Sequence, residues 1–117
     1  MPSEEQRALE DCFGAGVREE NEGNLRLIVL PSVTTPPGCA PRELMAIYVA
    51  CEFQGYRSRL FLEQPVKLRN GLQPATTTTV LLKRTMHAAS IQDIPATLPP
   101  HQAIAAHLAR YAGTEWK

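Results

Sequence analysis

The sequence has little of what marks the commoner functional classes. Its 117 residues carry no formal net charge, 12 Lys plus Arg against 12 Asp plus Glu, so the cationic footprint of a nucleic-acid binder is missing. Aromatic residues make up 6% of the chain, and only Tyr56 and Phe61 stand among basic residues where a base would stack. No apolar run approaches the roughly 18 residues of a membrane span. The opening Met1-Pro2-Ser3-Glu4-Glu5 has neither the cationic nor the apolar region of a secretion signal. A cytoplasmic protein without nucleic-acid or membrane partners is therefore expected.

Cysteine is scarce. Cys12, Cys39 and Cys51 form no Cys-x-x-Cys pair and have no neighbouring His to complete a zinc set, and an odd number reads as reduced thiols. Cys12 and Cys51 are expected as small buried hydrophobes, and Cys39, inside a Pro-rich stretch, as the more accessible thiol. The nucleophile pattern Gly-x-Ser-x-Gly and both phosphate-binding glycine patterns are absent. His101 and His107 are six residues apart, about 240° around a helix, so they diverge and share no metal. His87 stands alone, and neither a metal nor a cofactor is implied.

What is present reads as one α+β domain over residues 1–117. Ser3 followed by Gln6 is a capping-box pattern, with Glu4 and Glu5 on the first helical turn. Leu9, Cys12 and Phe13 make a short apolar stripe that Gly14 and Gly16 end, and residues 18–24 read as a turn or a helical extension. Leu25 to Leu30 reads as a strand stopped by Pro31, and residues 31–41 as an ordered Pro-rich loop, functional or a rigid crossover. From Glu43 to Phe53 the odd positions Met45, Ile47, Val49, Cys51 and Phe53 are all apolar, which predicts a strand with one face in the core and the other partly covered.

Gln54-Gly55-Tyr56 predicts a turn and Arg57 to Glu63 a returning strand, with Leu60 and Leu62 on one face and Arg57, Arg59 and Phe61 on the other. Asn70-Gly71 is a tight-turn signal, Thr76 to Met86 the next strand, and Thr76 to Thr79 an exposed edge through which the chain would self-associate into a homo-oligomer. Pro100 suits the first position of a helix with Ile104, Leu108 and Tyr111 on one face, Gly113 as its stop and Trp116 docking beyond it. The expected architecture is an N-terminal helix, a four-stranded antiparallel meander and a C-terminal helix packed on one face.

The zero net charge conceals a split. Residues 1–24 hold seven acids against Arg7 and Arg18, a net charge of −5. Arg57, Arg59, Lys67, Arg69, Lys83 and Arg84 stand against Glu63 alone, a net charge of +5. Nine Arg to three Lys favours planar, bidentate contacts with carboxylates. These residues point to a non-enzymatic module that binds an acidic protein surface through Arg57, Arg59, Phe61, Lys83 and Arg84. The plainer alternative pairs the same cations with the acidic first helix.

Gly55-Tyr56-Arg57-Ser58-Arg59-Leu60-Phe61 between the second and third strands, and Arg84-Thr85-Met86-His87 at the end of the fourth, resemble the small bacterial variants of the ubiquitin-conjugating-enzyme fold. The resemblance runs from Leu25 to Tyr111 by order of elements. Arg57 stands where that family often has a proline, and no cysteine follows Cys51, so the usual downstream catalytic thiol is absent. The resemblance implies a divergent member used for binding, with a ubiquitin-like protein as partner. Its enzymatic alternative is thiol group transfer with Cys39 or Cys51 as acceptor and His87 as helper.

Overall fold

Ser3 opens the first helix, α1 (Glu4–Phe13), by accepting a hydrogen bond from the Gln6 N–H at 3.1 Å, and Gly14 at φ +100° closes it. The computed structural model describes residues 3–91, 94–95 and 97–112. Gln6 does not complete a capping box. Its side-chain amide donates instead to the Val17 carbonyl at 2.9 Å, which ties the helix to the chain that follows. Ten residues make a marginal helix alone, and α1 is held through the buried Leu9, whose burial contributes about 2 kcal/mol, and through Phe13. Cys12 is exposed, so the expected stripe is narrower than its spacing suggested.

Six strands follow rather than four: β1 (Arg18–Glu22), β2 (Leu25–Thr34), β3 (Glu43–Val49), β4 (Arg59–Leu62), β5 (Thr76–Leu81) and β6 (Arg84–Ala89). They form one antiparallel sheet in the order β1-β2-β3-β4-β6-β5. The charged residues 18–22 are thus an edge strand, turned into β2 by Gly23 at φ +60°. β2 runs past Pro31 because the register shifts between Leu30 and Val33, and a bulge tolerates a missing N–H. The stretch expected as one strand from Thr76 to Met86 is a hairpin. Its two turn residues, Leu82 and Lys83, both have positive φ, +50° and +65°, without the Asn or Gly such a turn usually carries.

The two faces of the sheet bury separate cores. Ile28, Leu30, Tyr48, Leu60 and Leu62 meet Leu9 of α1 and Ala103, Ile104 and Leu108 of α2 (Pro100–Ala109), so both helices serve this face. Leu27, Val29, Ile47, Val49, Phe61, Met86 and Ala88 form the second core, against which Cys51 and Phe53 pack. The β5–β6 hairpin brings Leu81 and Leu82 onto that core, and the chain after β3 packs there too. Phe53 and Tyr56 exchange backbone hydrogen bonds of 2.9 Å around Gln54 and Gly55, both at positive φ, and this small hairpin folds back so that the Phe53 and Phe61 rings meet edge to face at 6.0 Å.

The Pro-rich loop is ordered, as its composition required. Thr35 and Arg42 clasp its base through the Thr35 N–H to Arg42 carbonyl bond (2.8 Å) and the Arg42 Nε to Thr35 carbonyl bond (3.1 Å), while Ala40 and Lys67 exchange backbone bonds of 2.9 and 2.8 Å. Cys39, expected at the surface, is 3% exposed and donates to the Tyr111 carbonyl at 3.4 Å. Asn70-Gly71 makes its turn, with Asn70 Oδ1 accepting from the Leu72 N–H at 3.0 Å. Pro100 occupies the first turn of α2, and Ile104, Leu108 and Tyr111 are buried, whereas the expected roles of Gly113 and Trp116 lie outside the described residues. Among the described residues no helix is long and apolar enough to cross a membrane.

Candidate functional site

The folding-back of the 50–58 segment separates the expected cationic face into an inner and an outer part. Arg59 is 2% exposed and Phe61 fully buried, so neither presents itself to a partner. The Arg59 guanidinium lies 4.0 Å from the Tyr56 ring centre and 5.2 Å from that of Phe61. It donates through Nη1 to Gln54 Oε1 at 2.7 Å and through Nη2 to the Ala88 and Ala89 carbonyls at 3.3 Å. No carboxylate pairs with it among the described residues, and burial lowers its pKa below that of a free guanidinium, with Tyr56 and Tyr111 opposing the shift. Arg59 is the internal pin of the sheet and its covering hairpin.

Arg57, Lys83 and Arg84 are exposed. None of their side chains has an ion pair among the described residues. Four acids of the N-terminal segment are matched elsewhere: Arg26 donates through Nε and Nη2 to Glu19 Oε1 at 3.0 and 2.8 Å and through Nη2 to Glu5, Arg18 faces Glu20 at 3.7 Å, and Glu22 Oε2 accepts from the Leu82 N–H at 3.0 Å. The expected alternative, in which the sheet cations neutralise the first helix, is therefore not what the side chains do. Arg26 takes that role, and its pKa is raised first by its hydrogen bond to Glu19.

Arg57 lies on a pocket of about 210 Å³ together with Arg26, Tyr48, Ala50, Ser58, Pro95, Leu98 and Pro100. Behind it, Ser58 Oγ and Nε2 of the buried His107 lie 3.2 Å apart, and the His107 ring meets Tyr48 edge to face at 6.0 Å. Tyr48 shares a side-chain hydrogen bond with Ser58, while burial, the larger effect, raises its pKa and keeps the phenol neutral. Ser58 is thus tied on two sides. A hydroxyl within reach of an imidazole is also the first part of a nucleophile and base pair, but here the same oxygen is engaged by a phenol. The arrangement offers a guanidinium fork, hydroxyls and short apolar walls, which suit the binding of a small anionic group.

The residues proposed for thiol chemistry do not come together. Cys39 is buried against Tyr111, Cys51 is half-buried over the second core, and His87, on β6, has Nδ1 3.3 Å from Thr78 Oγ1. No hydrogen bond among the described residues joins His87 to either cysteine. Among the described residues no group of three His, Cys, Asp or Glu is arranged to hold a metal. Sequence reading found Arg57 but not its pocket, because Ser58 and His107 are 49 residues apart and Arg26 lies on another strand. Comparison with protein-family models, with curated proteins and with solved structures returns no match.

Proposed function

We propose that this chain is a non-enzymatic protein-interaction module that docks an acidic protein surface on its exposed cations Arg57, Lys83 and Arg84. The observation that supports the reading is the uneven matching of charge. Among the described residues the N-terminal carboxylates Glu5, Glu19 and Glu20 are taken by Arg26 and Arg18, whereas the side chains of Arg57, Lys83 and Arg84 have no ion pair. Unpaired arginines at a surface steer an oppositely charged partner and raise its rate of encounter, in a manner that salt weakens. Arg59 and Phe61 belong to this site only as its support, holding the hairpin that carries Arg57.

A direct test is fluorescence anisotropy with an N-acetylated, C-amidated 15-residue peptide rich in Glu, at low and at physiological ionic strength. Arg57→Glu/Lys83→Glu/Arg84→Glu is expected to weaken binding at least tenfold and to flatten its salt dependence, while Glu4→Lys/Glu10→Lys leaves it no weaker. Equal binding by the wild type and the triple variant, both shown folded by circular dichroism, overturns the reading.

A further inference from the structure

Arg57 stands at a concave site, and it does so in a particular electrostatic setting. Its neighbour Arg26 is already committed to Glu19 and Glu5, neither of which lines the pocket. The charges of Arg57, Arg26, Glu5 and Glu19 sum to zero, so the pocket itself adds little to the long-range attraction and acts by contact. The Arg57 guanidinium, which no described residue pairs, is a planar fork matched in shape to a carboxylate. The space also selects: about 210 Å³ lies below the range of a drug-sized ligand or cofactor. A side-chain carboxylate on its short apolar stem fits such a volume, with Ala50 and Leu98 against the stem and Arg57 and Ser58 at the head.

We infer that this pocket is the anchoring subsite of the docking surface, taking one Asp or Glu side chain of the partner, with Arg57 as its bidentate clamp and Ser58, which accepts from His107 Nε2–H and from the Tyr48 hydroxyl and so keeps its own O–H, as a second donor. The inference rests on the proposed acidic partner and adds to it a position and a shape. Docking by diffuse charge requires only that residue 57 be positive. A carboxylate pocket requires also the planar fork, the hydroxyl and the empty space.

The experiment measures anisotropy of the same capped Glu-rich peptide against Arg57→Lys, Ser58→Ala, Ala50→Leu, which fills the pocket without changing charge, and Arg57→Glu. Thermal melts confirm that each variant is folded. The inference expects Arg57→Lys and Ser58→Ala to bind at least fivefold more weakly and Ala50→Leu at least tenfold more weakly. Phosphoserine in place of Glu is expected to bind no better, and a Gln-substituted peptide with a free C-terminal carboxylate more weakly than the capped Glu peptide. If Arg57→Lys and Ala50→Leu bind within twofold of wild type while Arg57→Glu loses binding, the pocket is overturned and charge-driven docking stands. Preference for the phosphoserine or the free C-terminal carboxylate overturns the side-chain assignment. A peptide that binds neither wild type nor variants at low salt overturns both.

Discussion

The guanidinium of Arg59 lies 4.0 Å from the centre of the Tyr56 ring, three residues away, and that contact closes the hairpin over the second core of the sheet. Burial of an arginine without a carboxylate is tolerated because Gln54, Ala88 and Ala89 accept its hydrogen bonds and two rings face it. Arg59→Ala takes this donor from the buried Ala88 and Ala89 carbonyls and empties the space between two rings, and is expected to cost about 3 kcal/mol in urea denaturation, with Arg59→Glu unfolding the domain. Arg57→Ala is expected within about 0.5 kcal/mol of wild type, since an exposed cation without a partner holds nothing in place. A loss at Arg57 as large as at Arg59 would contradict this division.

Tyr111 is held protonated well into alkali. Burial pushes its pKa up to about 12, against an ordinary 10, while a backbone hydrogen bond with Ala89 and the charge of Arg59 oppose the shift. The unfolded phenol gives up its proton first, so the stability linked to this group is complete below pH 10 and declines between about pH 10 and 12, by an order of 2 kcal/mol. Tyr111→Phe is expected to flatten the stability curve over that window in denaturation followed by circular dichroism. A wild-type curve no steeper than that of the variant removes the assignment.

Lys83 occupies a turn position at φ +65° that an L side chain adopts at a cost. Lys83→Gly relieves it and is expected to stabilise the fold by about 0.5 kcal/mol in chemical denaturation, the relief being partly offset by the greater freedom of glycine when unfolded. The same substitution removes a docking cation. Peptide affinity measured on the same sample should therefore fall while stability rises, and a parallel change in both would show that the cation has no part in docking.

The three thiols differ in accessibility in an order opposite to that expected from sequence. Cys12 is exposed, Cys51 half-buried and Cys39 buried. Labelling with a chromogenic disulfide under native conditions should consume one thiol promptly, lost in Cys12→Ser, and a second slowly, lost in Cys51→Ser, with Cys39 reacting only on unfolding. Prompt native labelling of Cys39 would show that the Pro-rich loop opens.

Local chemistry alone determined a good part of this molecule. Ser3 and Gly14 bound α1, Gln54-Gly55 and Asn70-Gly71 turn, and Pro100 starts α2, because caps and tight turns depend on residues within a few positions of one another. The alternation of Met45, Ile47 and Val49 with their neighbours likewise gave β3 and its two faces. Only the tertiary structure decided what depends on distant partners. The Leu82-Lys83 turn has no turn residue of its own and is fixed by the pairing of β5 with β6 and by the Glu22 carboxylate 60 residues away. Cys39 is buried by Tyr111, 72 residues on, and Arg59 by the hairpin that returns over it. The zero net charge, too, was legible as an acidic front and a basic middle, but that Arg26 takes Glu5 and Glu19, while Arg57 stands at a pocket with no ion pair among the described residues, follows from strand order and not from composition.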